Sequence, residues 1–145
     1  AWAQVLQVNL LAVADICRAA VSAFVRRGGG SLINIASRAG FRGDDGDHSA
    51  YAASKGAVLA LTKTIARAYA AQGIYAFAIC PGFTMTGMAE DYLESRGGDK
   101  LLADIPLGKV ADPEEVATIA KFCALDAPPS MTGAILDVNG ASYVR

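Results

Sequence analysis

The chain has 145 residues, 53% hydrophobic and 19% charged, which is enough apolar material for one globular core and too much for a disordered segment. Its formal net charge is -1 and its basic residues are scattered, Arg26-Arg27 being the only adjacent pair. That excludes an electrostatic footprint for nucleic acid or an acidic membrane and leaves a small molecule as the expected partner.

Residues 1 to 27 place apolar groups at Val5, Val8, Leu11, Ala12, Ile16, Ala19, Ala20, Ala23 and Phe24, a helical repeat stopped by Gly28-Gly29-Gly30. The run Ser31-Leu32-Ile33-Asn34-Ile35-Ala36 predicts a short strand buried on both faces. A polar, glycine-punctuated loop is expected from Ser37 to Ser49.

From Ala50 to about Ala71 the helical period returns, with apolar groups on most of the circumference, so this helix needs two packing partners. Ile74 to Cys80 predicts a second buried strand, ended by Pro81-Gly82 because proline cannot continue an interior ladder. Residues 84 to 108 show no firm period and predict one or two short helices; Met85, Met88, Tyr92 and Leu93 are candidates for a partly apolar pocket wall.

Asp112-Pro113-Glu114-Glu115 is a helix start, with Asp as cap, Pro at the first helical position and Glu three residues after the cap. That helix should run to about Leu125. Ala134 to Val138 predicts a last strand ending at Asn139-Gly140. Strands alternating with helices imply a parallel, doubly wound α/β sheet of three strands, whose first strand would have an open apolar edge.

No uninterrupted apolar run reaches the roughly 18–20 residues needed to cross a bilayer, and no basic-then-apolar leader opens the chain, so a cytoplasmic location is expected. Cys17, Cys80 and Cys123 are odd in number, far apart and in apolar surroundings, which predicts buried reduced thiols. No metal site is expected; His48, the one histidine, reads as a solvated loop residue without a second ligand.

Tyr51 and Lys55 lie four positions apart on one helix, so the ammonium sits near the phenol. A phenol titrates near ~10 and needs a nearby cation to exchange protons usefully near neutral pH. Ser37 follows the first predicted strand and Pro81 to Thr86 follow the second, so both belong at the crevice where parallel strands end.

Asn34-Ile35-Ala36-Ser37, Tyr51-Ala52-Ala53-Ser54-Lys55-Gly56-Ala57, Pro81-Gly82-Phe83 with Thr86, and Gly133 to Gly140 resemble, in this order, motifs of the short-chain dehydrogenase/reductase family. The resemblance spans essentially the whole chain. It implies a partial Rossmann-like sheet and reversible hydride transfer between NAD or NADP and a carbonyl or alcohol substrate.

The same resemblance makes Tyr51 the catalytic acid or base and has Lys55 lower its pKa and bind the nicotinamide ribose. Ser37 would orient the substrate oxygen, and Asn9 would support the water of a proton relay. Pro81, Gly82, Thr84 and Thr86 would bind the nicotinamide carboxamide. The helices at 1 to 27 and 50 to 71 resemble those that pair across the family's two-fold axis, which implies a homodimer or homotetramer.

Two departures stand out. The Ser37 to Tyr51 spacing is one residue longer than the family's most familiar pattern, and its loop, Arg42 to His48, is acidic. No strand, glycine-rich turn and helix for a pyrophosphate is recognisable, and Gly28-Gly29-Gly30 stands after a helix, the reverse of the required order. Residues 1–145 are therefore expected to be the C-terminal portion of one such domain. The alternative is a truncated chain that folds and oligomerises without binding cofactor.

Overall fold

In the computed structural model, which describes residues 1–145 except the side chains of Met88, Tyr92 and Arg96, the first apolar repeat forms one continuous helix, α1 (Trp2–Arg27). Within it Gln7–Leu11 open into a π turn. The helix stops at Gly28, whose φ of 92° is left-handed and suits a residue without Cβ. The amides of Gly28 and Gly29 both donate to the Phe24 carbonyl, at 2.9 Å each.

By length and composition α1 is apolar enough to cross a membrane, with a mean hydropathy of 1.7 over its best window. No uninterrupted apolar run of that length is present, because Gln7, Asn9 and Asp15 interrupt the helix, and its mean hydropathy is high in spite of them. In the structure α1 belongs to the α/β layer, with Cys17 and Val21 in the core beside Ile65, Ala66, Ile74 and Ala76.

After α1 the chain forms β1 (Gly30–Ile35), a short helix α2 (Ala39–Arg42), a 3-10 turn (Gly46–His48), the long helix α3 (Ser49–Tyr69) and a second 3-10 turn (Ala70–Gln72), with a third at Pro129–Met131 before the last strand. Then follow β2 (Ile74–Pro81), α4 (Gly87–Arg96), α5 (Gly98–Ala103), α6 (Pro113–Leu125) and β3 (Ile135–Val138). The segment from Ser37 to Ser49 is thus partly helical, not the plain loop expected from its glycines. The predicted start of α6 is present, with the Asp112 amide donating to the Glu115 carboxylate at 2.8 Å.

The three strands are parallel in the order β1-β2-β3. Gly30 to Ile35 lie opposite Ile74 to Ile79, and Ala78 to Pro81 lie opposite Ile135 to Val138. β2 is the spine. Its Ala78 and Cys80 pack with Val58 and Leu59 of α3, while the alternating Phe77 and Ile79 face the opposite side of the sheet. Full burial of side chains such as Phe77, Ile74 and Ile79 stabilises the fold by about 1.5–3 kcal/mol each.

β1 is not buried on both faces as its sequence predicts: Asn34 alone within it is buried, and Ile35 is 47% exposed. The cause is its position at the edge of the sheet, where no strand among the described residues pairs with its outer side. Asn34 is the polar tie of this strand. Its amide donates to the Thr62 hydroxyl of α3 at 2.9 Å, and its carbonyl accepts from the Cys17 thiol of α1 at 3.5 Å.

Candidate active site

The carboxyl ends of the strands are drawn together by backbone bonds: Ala36 N–H to Ile79 O at 2.8 Å, Arg38 N–H to Pro81 O at 3.1 Å, and Gly82 N–H to Val138 O at 2.9 Å. These place Ser37 beside the segment from Pro81. A cavity of about 480 Å³ opens there, lined by Ser37, Tyr51, Lys55 and the stretch Pro81, Gly82, Phe83, Thr84 and Thr86. Every residue expected at the catalytic and nicotinamide positions, apart from Asn9, meets at this one cavity.

Ser37 is buried, and its hydroxyl oxygen accepts from the Ala39 amide at 3.1 Å. A hydroxyl bonded in that way still has its own hydrogen to donate. Lys55 reaches back across α3 so that Nζ lies 5.7 Å from the Tyr51 ring centroid, within cation–π range. The same ammonium donates to the Ile35 carbonyl at 3.0 Å, which fixes it at the end of β1. Burial pushes the Lys55 pKa down from its ordinary value, partly opposed by the interaction with Cys80.

Asn9 stands in the π turn of α1, and its amide donates to the Ser54 hydroxyl at 3.3 Å. Ser54 is wholly buried and donates in turn to the Tyr51 carbonyl at 2.7 Å. Asn9 therefore touches α3 through Ser54, the residue before Lys55. A π turn is a frequent accompaniment of functional sites, because it re-aims side chains that a regular helix would place elsewhere.

Close packing holds the loop against α3. A Cβ on Gly40 would meet the backbone of Lys55 and Gly56 and the side chain of Leu59, each at 3.0 Å. The hydroxyls of the second loop are engaged locally: Thr84 donates to Gly82 O at 3.2 Å, and Thr86 caps α4 by accepting from the Ala89 amide at 3.4 Å. Of the proposed apolar pocket wall, the side chains of Met88 and Tyr92 lie outside the described residues, and Ala89 of the same segment lines the cavity.

The sequence reading missed Arg38 and Arg42. Both line a second cavity of about 390 Å³ that shares Ser37, Tyr51, Gly82 and Phe83 with the first. The signal was an arginine directly after Ser37 and another four residues on, spaced to share a helix face. The reading of His48 as lacking a second ligand is also corrected, since ligand atoms of Asp44, Asp45 and His48 lie within 4.8 Å of one another. All three are exposed, and the group has a structural role: Asp45 accepts from the Asp47 amide and pairs with His48 Nδ1 at 2.7 Å.

A serine at a strand end with a tyrosine and a lysine one helical turn apart is the arrangement that the sequence resemblance leads one to expect. Residues 1–141 match the family model described as enoyl-(acyl carrier protein) reductase, and the chain belongs to this short-chain dehydrogenase/reductase family. It is 36% identical over 143 residues to the 3-oxoacyl-[acyl-carrier-protein] reductase of Thermotoga maritima, covering 99% of this chain and 57% of that protein. To the (3R)-3-hydroxyacyl-CoA dehydrogenase of Rattus norvegicus it is 40% identical over 144 residues, covering 99% and 55%.

Among solved structures it resembles a proposed NAD(P) dependent gluconate 5-dehydrogenase from Beutenbergia cavernae with bound NADP, at a TM-score of 0.91 and 35% identity, covering 97% of this chain and 57% of that one. A proposed 2-deoxy-d-gluconate 3-dehydrogenase from Agrobacterium tumefaciens with bound NADP gives a TM-score of 0.92 and 34% identity over 99% and 59%. The chain thus spans little more than half the length of the relatives it matches.

Proposed function

We propose that residues 1–145 form the C-terminal, catalytic portion of a short-chain oxidoreductase domain that interconverts a carbonyl and an alcohol with NAD or NADP. The observation that carries this reading is the convergence of Ser37, Tyr51 and Lys55 with Pro81 to Thr86 on one cavity. Tyr51 gives or takes the proton at the substrate oxygen, and Ser37 donates a hydrogen bond to that oxygen and fixes its direction. The Lys55 ammonium, 5.7 Å from the Tyr51 ring centroid, places a positive charge beside the phenol. Asn9, tied to Ser54, supports the water through which the proton reaches solvent.

The residues present fit the nicotinamide end of the cofactor. Tyr51 and Lys55 would hold its ribose, and the backbone of Pro81 and Gly82 with the hydroxyls of Thr84 and Thr86 would hold its carboxamide. The cofactor supplies or accepts the hydride. By their names the two relatives above act on a 3-oxoacyl-[acyl-carrier-protein] and a (3R)-3-hydroxyacyl-CoA, and both structural neighbours carry NADP. We place the chain in the cytoplasm as a homodimer or homotetramer acting on a small carbonyl or alcohol compound.

A second reading is favoured by the open edge of β1: a chain that folds and oligomerises without binding cofactor. Calorimetry with NAD(H) and NADP(H), followed by carbonyl reduction with unaltered and Tyr51→Phe chains, separates the two. Saturable binding and a turnover that falls at least about a hundredfold in Tyr51→Phe are expected. No binding at millimolar cofactor would sink the catalytic reading for this chain and favour the second.

A further inference from the structure

The second cavity has a chemistry that the catalytic group does not use. Arg38 and Arg42 converge on one carboxylate, with Arg42 Nη1 at 2.9 Å and Arg38 Nη1 at 3.9 Å from Asp104 Oδ2. Arg38 also donates to the Ser142 hydroxyl. A guanidinium offers five N–H donors in a planar fork, so Asp104 and Ser142 satisfy only part of the two sets.

The burial of the two arginines differs in a way that matters. The Arg38 side chain is only 16% exposed, and burial pushes its pKa down, helped by the charge of Arg42. A cation held so far from water, with its nearest acid near 4 Å, is incompletely compensated. Asp44, the acid that lines the cavity, is exposed and accepts from the Asp45 amide, while His48 is paired with Asp45. Asp104 and Asp44 both act on the two cations, so little positive charge is in excess, and the guanidinium donors left over suit a singly charged carboxylate better than a phosphate dianion.

We propose that this cavity is the subsite for an anionic end of the substrate, the carboxylate of a small oxo or hydroxy acid, with Arg38 and Arg42 as the specificity-determining pair. The carbonyl of such an acid then lies toward Ser37 and Tyr51, which line both cavities. The assignment of the anion as part of a substrate rests on the oxidoreductase reading above. The existence of an anion subsite is tested without turnover.

The test titrates the 145-residue chain, followed by its amide NMR spectrum, with 4-oxopentanoate and with the methyl ester of the same acid. The acid is expected to shift signals of residues 37 to 42 and to bind at least about tenfold more tightly than the ester. Arg38→Gln and Arg42→Gln each lower the affinity for the acid about tenfold and leave the ester unchanged. Asp104→Asn, by removing the competing carboxylate, tightens the acid.

If an arginine variant unfolds, the acid-against-ester contrast and Asp104→Asn still decide. Equal affinity of acid and ester, no binding of either, or an acid affinity unmoved by both arginine substitutions overturns the subsite. Reduction of a neutral ketone that depends on Tyr51, with no preference for acids, would leave the oxidoreductase reading intact while removing this one. Preferred acid binding without turnover would do the reverse.

Discussion

Burial sets the chemistry of the individual side chains here more than sequence position does. Cys80 is fully buried in β2 beside the site, and burial, with the charge of Asp137 adding to it, pushes its pKa up to about 11. Cys17 and Cys123 are also buried and raised for the same reason. The thiolate is the reactive species, so a disulfide reagent at pH 8 should find no fast-reacting thiol in the native chain and three in denaturant. A rapid native reaction would show that the β2 core opens.

His48 titrates above its ordinary 6.5 because its ring is hydrogen-bonded to Asp45, and Asp45 is lowered below 3.8 by the same bond. The raised histidine stabilises the fold fully below pH 6.5 and loses that effect as pH rises through its folded value. The lowered aspartate stabilises above 3.8 and loses its effect as pH falls through its own folded value. The pair therefore acts most strongly between about pH 3.8 and 6.5. An NMR titration should give a His48 midpoint above 6.5 that falls in Asp45→Asn.

Tyr51, Lys55 and Ser37 were legible in the sequence because helical spacing and a strand end are local properties of the chain. Arg38 and Arg42 were not, because their shared acid, Asp104, lies 62 residues beyond Arg42.

At the scale of elements, the site depends on how closely α2 approaches α3. Gly40 permits that approach, and Gly40→Val would drive a branched side chain into the backbone of Lys55 and Gly56. Overpacking of this kind costs typically 1–3 kcal/mol, so Gly40→Val should lower stability by about that amount and displace Lys55 from the Ile35 carbonyl. Urea unfolding reads the first effect and cofactor affinity the second.

Asn34 joins three elements through Cys17 and Thr62, and its burial makes the loss of its bonds expensive. Asn34→Ala should cost about 1–3 kcal/mol in the same urea assay, although Thr62 retains its bond to the Val58 carbonyl. The order and type of the long elements were readable from apolar period and stop signals such as Gly28 and Pro113. The π turn around Asn9 was not, since Gln7–Leu11 carry no composition that distinguishes them from regular helix. Nor were the short helix α2 and the 3-10 turn after it, whose glycines read as loop.

On the scale of the whole molecule, two surfaces are left open among the described residues: the outer edge of β1 and the solvent side of α1. Trp2, Val8, Leu11 and Ile16 are exposed on α1, Ile16 at 68%. Groups of this size and number along one helix favour association in water, because burying each against an apolar partner returns about 1.5–3 kcal/mol.

Sedimentation equilibrium at micromolar concentration should therefore give a mass of at least twice 15.0 kDa. Ile16→Glu places a charge on that face without touching Cys17 or Val21, which pack inward, so it should shift the mass toward the monomer while leaving the helical signal unchanged. If the edge of β1 drives association instead, Ile16→Glu will leave the mass unaltered, and a Lys substitution at the half-exposed Ile35 will lower it. A monomer in the unaltered chain would mean that neither surface is sticky enough to bring two copies together.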